Sequence, residues 1–452
     1  MRILTILLFL LFVNLATAQN YYGYLSDNYS GLHSVTLNPA NVTGSKFRSE
    51  INLVSANAGF NNDYFVLDFG DLFEDSEEID NSIIIAKENN NFAVSTDVMG
   101  PSFMFNLSPK HSIGIITRAR AFFNVNEIKG ELFDAFEDDF DTGNDFSLTE
   151  DEFTSTLHAW AEFGVAYGRT LINKEQHYLK GGVTLKYLQG LGNAYTKGSN
   201  LSVDFDADGF APTVGTITTT GQIEYGSSAG ISENGDDFEI ESGSNGFGAD
   251  IGFIYEWRPN PTDIENNSRS NYKLKVGLSI TDIGSINYKD AEANTYDINN
   301  TVDEITFESE EDFEDKLNNL YTRTGSRDFT KVNLPTALHL TADYNLDTQF
   351  FINLRTDLSL RKASELNTNK IDNSFVLTPR FERKWFSVFV PLSLMDYSGF
   401  NAGFGFRAGP LFVGSNTVLT NLMSSESKAT NVYLGLKIPI YKKGKSKFKE
   451  EK

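Results

Sequence analysis

Histidine, serine and acidic side chains could together support hydrolysis, but their spacing in this sequence brings no nucleophile next to a base. Ser155 and His158 are an odd number of residues apart, so on a β-strand their side chains point to opposite faces. His339 and Asp343 would share a face, yet no nucleophile or metal-ligand set accompanies them. We therefore predict no catalytic residue and no enzymatic activity.

Two acidic stretches approach the pattern of a calcium loop without meeting it. Asp139, Asp141, Asp145 and Glu150 have roughly the required spacing, but Gly143 comes one position early for an EF-hand. Asp206-Ala207-Asp208-Gly209 is shorter still. We expect solvated acidic loops, no metal site and no cofactor, while calcium binding by these loops stays open. The net charge of -23 also argues against a nucleic-acid partner, because phosphates need a basic surface.

The elements that carry these side chains are indicated by alternation of apolar and polar residues. Tyr272, Leu274, Val276, Leu278 and Ile280 alternate with Lys273, Lys275, Gly277, Ser279 and Thr281. Segments of about ten alternating residues are typical of transmembrane β-strands, whose apolar stripe faces lipid and whose polar stripe faces the lumen. Fourteen such segments run from Arg48–Asn61 to Thr430–Tyr441, and two of them cover Phe153–Leu171 and His177–Leu191. We predict an all-β fold, a transmembrane antiparallel β-barrel of about 14 strands.

The connections between these segments alternate in length. Short turns at 108–110, 173–176, 346–348, 383–384 and 409–410, with a somewhat longer one at 259–271, take every second connection. Long acidic links at 62–91, 127–152, 192–246 and 289–331 lie between them. Short periplasmic turns and long extracellular loops are the rule for bacterial outer-membrane barrels, whereas a β-sandwich has no reason to follow it. Within the third link, 201–205 and 213–225 are expected to form a hairpin that rises above the membrane.

The first residues indicate export to that membrane. Arg2 precedes the apolar run Ile3–Val13, and Ala16-Thr17-Ala18 supplies a cleavage site. Cys is absent, which excludes disulfides and thiolate chemistry. We predict residues 1–18 as a signal peptide, 19–47 as a plug-like segment, 48–441 as an outer-membrane barrel and 442–452 as a basic periplasmic tail. The expected location is the outer membrane, with its lipid as a partner.

Charged residues of both signs fall on the stripes expected to face the lumen. They are Arg118, Arg120, Glu162, Lys180, Lys186, Asp250, Lys273, Lys275, Asp343, Arg355, Asp357 and Arg407. Such charges pair across a lumen and rigidify it, or they line a selective pore or ligand site. The sequence leaves both interpretations open.

A short motif precedes the first strand. In Leu37-Asn38-Pro39-Ala40-Asn41, Asn38 can cap a short helix and Pro39 can take its first position. With Lys46-Phe47-Arg48-Ser49-Glu50-Ile51-Asn52-Leu53, this motif resembles a Bacteroidota outer-membrane family, domain of unknown function 5723. More distantly, it is similar to FadL-like and PorV-like barrels.

The resemblance to FadL-like barrels implies 14 strands and an N-terminal segment that folds into the lumen as a hatch. Asn38, Pro39 and Ala40 would then lie at the junction of plug and barrel. Only residues 19–47 precede the first strand, so a narrow or partial plug is expected.

Two functions follow as expectations. The first is a channel or transporter-like barrel for a small or amphiphilic solute, which would be its ligand. The alternative is a structural or interaction subunit with an outer-membrane protein partner, because PorV-like relatives act with a secretion machinery.

Overall fold

The computed structural model describes residues 21–66, 83–137, 144–211, 214–228, 243–259, 272–289, 291–307, 313–328, 331–424 and 426–442. The predicted signal peptide and all but the first residue of the predicted tail lie outside this set. So do parts of the acidic loops, including Asp139 and Asp141.

Among the described residues, fourteen antiparallel strands close into a barrel. They are β1 (Phe47–Asn62), β2 (Asn90–Met99 with Ser102–Asn106), β3 (His111–Ile128), β4 (Phe146–Lys174), β5 (His177–Ala211), β6 (Asn245–Trp257), β7 (Leu274–Asn287), β8 (Lys331–Asn333 with Ala337–Asp347), β9 (Phe350–Ser359), β10 (Ser374–Glu382), β11 (Phe386–Phe389 with Leu392–Met395), β12 (Gly399–Ala402 with Phe404–Ala408), β13 (Leu411–Ser415) and β14 (Ala429–Tyr441). Closure comes from β1, which pairs with β14 through Ile51↔Ile438 and with β2 through Ala56↔Val98. The predicted fold class is confirmed.

The outer face of the barrel is apolar in the two-residue rhythm read from the sequence. On β5, Val183, Leu185 and Tyr187 are 40%, 66% and 44% exposed, whereas Thr184 and Lys186 between them are buried. The same alternation runs along β14, where Val432 and Leu434 are exposed and Tyr433 is buried. An apolar belt that surrounds a polar interior is unfavourable in water, so this surface is a lipid-facing one.

A tight connection at 396–398, between β11 and β12, lies at one end of the barrel, and five others lie at the opposite end, where β1 begins and β14 ends. These five are 107–110, 175–176, 348–349, 383–385 and 409–410. By the rule of loop lengths this end is the periplasmic one. We call its turn residues and the strand residues next to them the periplasmic rim.

Two strands are longer than the alternation predicts. β4 has 29 residues and β5 has 35, whereas a membrane crossing needs about 9–11. Above the membrane they continue into a sheet with Val214–Ser227, Glu292–Asp297, Asn300–Asp303 and Thr322–Asp328. The predicted loop 192–246 is therefore partly strand, and the expected hairpin within it is longer than predicted.

Short helices complete the described chain. They are α1 (Leu32–Leu37), α2 (Gly130–Glu137), α3 (Glu304–Phe307), α4 (Phe313–Leu320) and α5 (Val418–Met423), with 3-10 turns at Tyr24–Ser26 and Pro39–Val42. In the part of the chain that the structure describes, no helix has the length and apolar character needed to cross a membrane.

Candidate functional site

The N-terminal segment, residues 21–45, lies inside the barrel rather than below it. Its apolar side chains are buried: Tyr24, Leu32 and Val35 are fully buried. The Tyr24 ring stacks on Phe412 of β13 with ring centroids 3.9 Å apart. Leu32 and Val35, on α1, pack in a cluster with Ile116 of the barrel wall. Burial of these side chains against the wall stabilises the segment, because each removes apolar area from water.

Asn38, Pro39 and Ala40 form the corner between α1 and the second 3-10 turn. The Asn38 side chain accepts a hydrogen bond from Ala40 N at 3.0 Å, and Pro39 takes the first position of the turn. The Nδ2 of Asn38 also donates to the backbone oxygens of Phe253 at 3.2 Å and Leu278 at 3.1 Å, on β6 and β7. One side chain thus caps the turn and joins it to the wall.

Glycines on the inner wall make room for this corner. A Cβ placed on Gly182 of β5 would lie 2.5 Å from Ala40 N, and one on Gly168 of β4 would lie 2.5 Å from Val42 Cγ1. Real Cβ atoms do not approach other heavy atoms so closely. Gly182 therefore lets the backbone of the segment contact the sheet directly, and Gly168 makes room for the side chains of Val42 and Thr43.

Buried charges of the wall hold the first half of the segment. Arg407 Nε donates to Asp27 Oδ2 at 2.8 Å, and both side chains are fully buried. Lys437 Nζ donates to Ser30 O at 3.1 Å, and Glu50 accepts from Leu32 N at 3.0 Å. Because a buried charge is costly without a partner, these contacts favour the docked segment strongly.

A second group of charges meets the segment at Asn28. The Asn28 amide donates to Glu382 at 3.1 Å, and its oxygen accepts from Lys275 Nζ at 3.0 Å. Glu382 in turn accepts from Arg380 Nε at 3.1 Å, and Arg380 Nη1 donates to Asp343 at 2.6 Å. The predicted Lys275 and Asp343 therefore belong to one network that includes the segment.

The predicted Lys180 donates to Thr43 O of the segment at 2.9 Å. Above the segment, seven other predicted charges form two further groups. Arg118 pairs with Glu162 at 2.9 Å, and Arg120 with Asp282 at 2.9 Å. Lys186 pairs with Asp250 at 2.8 Å and with Asp282 at 2.7 Å. Separately, Arg355 Nε donates to Asp357 at 2.8 Å, and His339 Nδ1 lies 2.6 Å from the same carboxylate.

Sequence reasoning missed seven charged members of these networks, which are Asp27, Glu50, Asp97, Asp282, Arg380, Glu382 and Lys437. Asp97 pairs with Arg118 and Arg380 with Asp343, and both residues lie on inward-facing positions that alternation alone could have revealed. Asp282 carries no such signal. It has a φ of 57° beside the β6–β7 bulge, where Thr281 and Asp282 are both buried and parity breaks down.

Two predicted orientations at the start of β7 are wrong. The alternation predicts Tyr272 on the lipid face, but this residue is buried and its Oη contacts Asn28 at 2.7 Å. It predicts Lys273 in the lumen, but the Nζ of Lys273 lies 4.6 Å from the ring of Tyr344, which is exposed on the outer face. Both residues precede the first residue of β7, Leu274, so the strand alternation does not govern them.

A loop between β9 and β10, residues 360–373, lies over the lumen from the extracellular side. Asn369 Nδ2 donates to Asn124 Oδ1 and Thr156 O, both at 2.8 Å. Ile371 packs in the same buried cluster as Trp160 of β4. The loop is therefore anchored to the wall opposite its own strands.

The same loop buries an acid. Asp372 Oδ2 accepts from Asn61 Nδ2 at 2.6 Å, while its Oδ1 has no partner among the described residues. Burial, with a smaller contribution from Asp396, raises the pKa of Asp372 from 3.8 to about 7. The hydrogen bond from Asn61 and, less strongly, the charge of Lys370 lower the pKa of Asp372.

Between the segment and this loop, a cavity of about 60 Å³ remains. Its floor includes Tyr21 and Leu25, and its roof includes Ile371. Arg118 and Arg355 lie on its charged wall. This space suffices for a few water molecules, but ligand sites are typically about 300–1,000 Å³. The lumen in this conformation is therefore closed at two levels around a small charged chamber.

The sequence matches one family over most of its length. The model of the family described as "Family of unknown function (DUF5723)" matches residues 39–416. No curated protein matches the sequence.

Several solved barrels are similar in structure. The Ralstonia pickettii toluene transporter TbuX shares 9% identity, with 91% of this chain and 95% of that chain covered and a TM-score of 0.41. The CymD monoaromatic hydrocarbon channel shares 10% identity, with coverage of 93% and 98% and a TM-score of 0.42. A Pseudomonas aeruginosa FadL homologue shares 8%, with coverage of 93% and 96% and a TM-score of 0.28. These values concern the fold alone, so the function of this chain rests on its own residues.

Proposed function

The chain belongs to the DUF5723 family of unknown function, and we propose that it is a gated outer-membrane channel for a small or amphiphilic solute. In this proposal the N-terminal segment acts as a plug and residues 360–373 act as a lid. The chamber between them is the part of the conduit that neither one fills.

Closure of the lumen by two segments outside the strands is the observation that carries this proposal. A barrel with a purely structural role can fill its lumen with wall side chains, as paired charges do at Lys186. Here the lumen is closed by two segments that lie outside the strands and are attached to the wall by hydrogen bonds and ion pairs. Such segments can detach without breaking the barrel, because the strand pairing that closes the wall does not include them.

The chemistry of the chamber supports a solute with polar groups. Its wall carries Arg118, Arg355 and Asp282, while Leu25, Leu37 and Ile371 supply apolar surface on the floor and roof. A mixed lining of this kind suits a solute with a polar end and an apolar end.

Conductance of the purified protein in planar bilayers tests the proposal. The native barrel is expected to conduct poorly. Deletion of residues 20–32 should raise conductance, because the deletion removes Asp27 and Asn28, which attach the segment to the wall. The barrel should still assemble, because its strand pairing does not include these residues. High conductance before the deletion would favour an open pore. Because the lid also closes the lumen, a third form in which residues 360–373 are shortened to a tight turn as well completes the test. Low conductance in all three forms would contradict a channel and favour a filled lumen.

A second function, an interaction subunit of an outer-membrane assembly, is favoured by one observation above the membrane. Thr322–Asp328 pairs with Glu292–Asp297, and the described part of the chain offers its other edge no partner strand. An open edge can accept a strand from another protein. Thr324→Pro should then weaken co-purification of such a partner while leaving conductance unchanged.

A further inference from the structure

The periplasmic rim carries many cations and few acids on its outward surface. Exposed cations on the rim are Arg48, Lys110, Arg169, Lys174, Arg383 and Lys384. Among the described rim residues, the exposed acids are Glu175 and Asp347. Glu256 and Glu382 are also near this end, but they are buried and paired with arginines. The exposed surface of the described part of the rim is therefore positive, although the chain as a whole has a net charge of -23.

Aromatic rings stand beside several of these cations at the membrane boundary. Lys384 Nζ lies 4.6 Å from the ring of Tyr441, and Arg383 lies 5.3 Å from the ring of Phe381. Lys273, which turns outward at the start of β7, takes the same position over Tyr344 at 4.6 Å. A cation over an aromatic ring keeps its long side chain at the interface, with the charge directed towards water.

Two adjacent hairpins repeat a related arrangement with histidine. His111 Nδ1 lies 2.7 Å from Tyr167 Oη, and His177 Nδ1 lies 2.7 Å from Tyr255 Oη. Each histidine opens a strand directly after a periplasmic turn. In the first hairpin Arg169 is the ladder partner of His111, so a charge and a hydrogen-bonding pair lie side by side.

We propose that this rim binds the anionic head groups of phospholipids in the periplasmic leaflet. The negative phosphate meets Lys and Arg, and the glycerol and first acyl carbons meet the rings of Tyr167, Tyr255 and Tyr344. Phosphate pairs well with guanidinium and ammonium groups, and basic residues next to a bilayer attract anionic lipid. The opposite end of the barrel carries acidic loops, so the lipid preference belongs to one leaflet.

The experiment compares lipids retained by the full-length protein in nanodiscs that contain equal phosphatidylglycerol and phosphatidylcholine. Native mass spectrometry counts each lipid bound after release. The lipids bound to the wild-type protein should be enriched in phosphatidylglycerol relative to the equal mixture in the nanodisc. Lys110→Gln/Arg169→Gln/Lys174→Gln should lose about fivefold in enrichment for each charge removed, and added salt should reduce the wild-type enrichment.

Three exposed cations at the extracellular end provide a matched control. Arg323→Gln/Lys331→Gln/Lys362→Gln removes the same charge and should keep the wild-type enrichment. A heat-modifiable band on electrophoresis verifies that each variant is folded. If the first rim variant does not fold, Arg383→Gln/Lys384→Gln on the opposite side of the rim provides the same test.

Three outcomes would overturn the proposal. The first is no enrichment of phosphatidylglycerol in the wild-type protein. The second is an equal loss of enrichment in the rim and control variants. The third comes from nanodiscs with lipid A as the only anionic lipid. If the rim cations retained lipid A more strongly than phosphatidylglycerol, the site would be assigned to the phosphates of the other leaflet.

Discussion

Gly182 offers the sharpest test of plug docking, because its lumen face touches the backbone of the N-terminal segment. The substitution Gly182→Ala adds one methyl group at a position 2.5 Å from Ala40 N and equally close to Pro39 O. Both neighbouring atoms belong to the main chain, so no side-chain rotation relieves the contact. Either the corner at Asn38-Pro39-Ala40 moves away from the wall or the strand moves.

The magnitude follows from the cost of overpacking. Forcing an extra methyl group into a packed site costs about 1–3 kcal/mol. Since about 1.4 kcal/mol is a factor of ten, the ratio of docked to undocked segment should fall by about 5- to 150-fold. A shift of the corner would also lengthen the hydrogen bonds from Asn38 to Phe253 and Leu278.

Two measurements would report the change. Single-channel recordings should show more frequent opening in Gly182→Ala, and chymotrypsin should cut more rapidly at Tyr24 and Tyr29, which are buried in the docked segment. Gly164→Ala on β4 is the matched control, because the nearest atoms to its added Cβ belong to Thr184, at 3.3 Å, and Ile116, which are both wall residues. Unchanged opening and cleavage in Gly182→Ala, or equal changes in Gly164→Ala, would refute the docking argument.

Three further predictions address the lid, the lipid face and the topology. Because the pKa of Asp372 is raised from 3.8 to about 7 in the closed lid, the stability of lid closure should fall as pH rises from about 4 to about 7. Hydrogen-exchange protection of residues 360–373 should fall over the same range, and Asp372→Asn should abolish this pH dependence. Protection that increases with pH would count against the prediction. Val276→Arg places a charge on the lipid face between Leu274 and Leu278 and should destabilise the barrel by about 2–4 kcal/mol, as measured by urea unfolding in vesicles. The lumen-facing control Ser279→Asn should destabilise the barrel less. An equal loss of stability in both variants would argue against membrane insertion. Epitope tags within 127–152 or 289–331 should be labelled on intact cells, whereas a tag after Tyr441 should not be, and external labelling of both would reject the assigned orientation.

Strand alternation in the sequence is sufficient to predict the barrel. A strand that separates lipid from lumen must alternate in polarity, so the stripe on β14 can be read directly. The same parity places charges such as Arg118, Glu162 and Arg407 on the inward face. It fails where the strand geometry is interrupted: at Tyr272 and Lys273, which precede β7, and at Asp282 beside a bulge.

Strand length is harder to read from the sequence than strand position. The part of β5 beyond Leu191 is polar and leaves the membrane, so the lipid constraint that enforces alternation no longer applies to it. Its stability comes from pairing with β4 and Val214–Ser227, which is a non-local property.

The sequence by itself determined that this chain is a barrel with a polar, charged lumen and an N-terminal segment too apolar to remain in water. The tertiary structure decided how the lumen is closed. The contacts that close it join residues far apart in the chain, such as Asp27 with Arg407 and Asn61 with Asp372. No local pattern specifies such pairs, because each depends on which strands the barrel brings opposite one another.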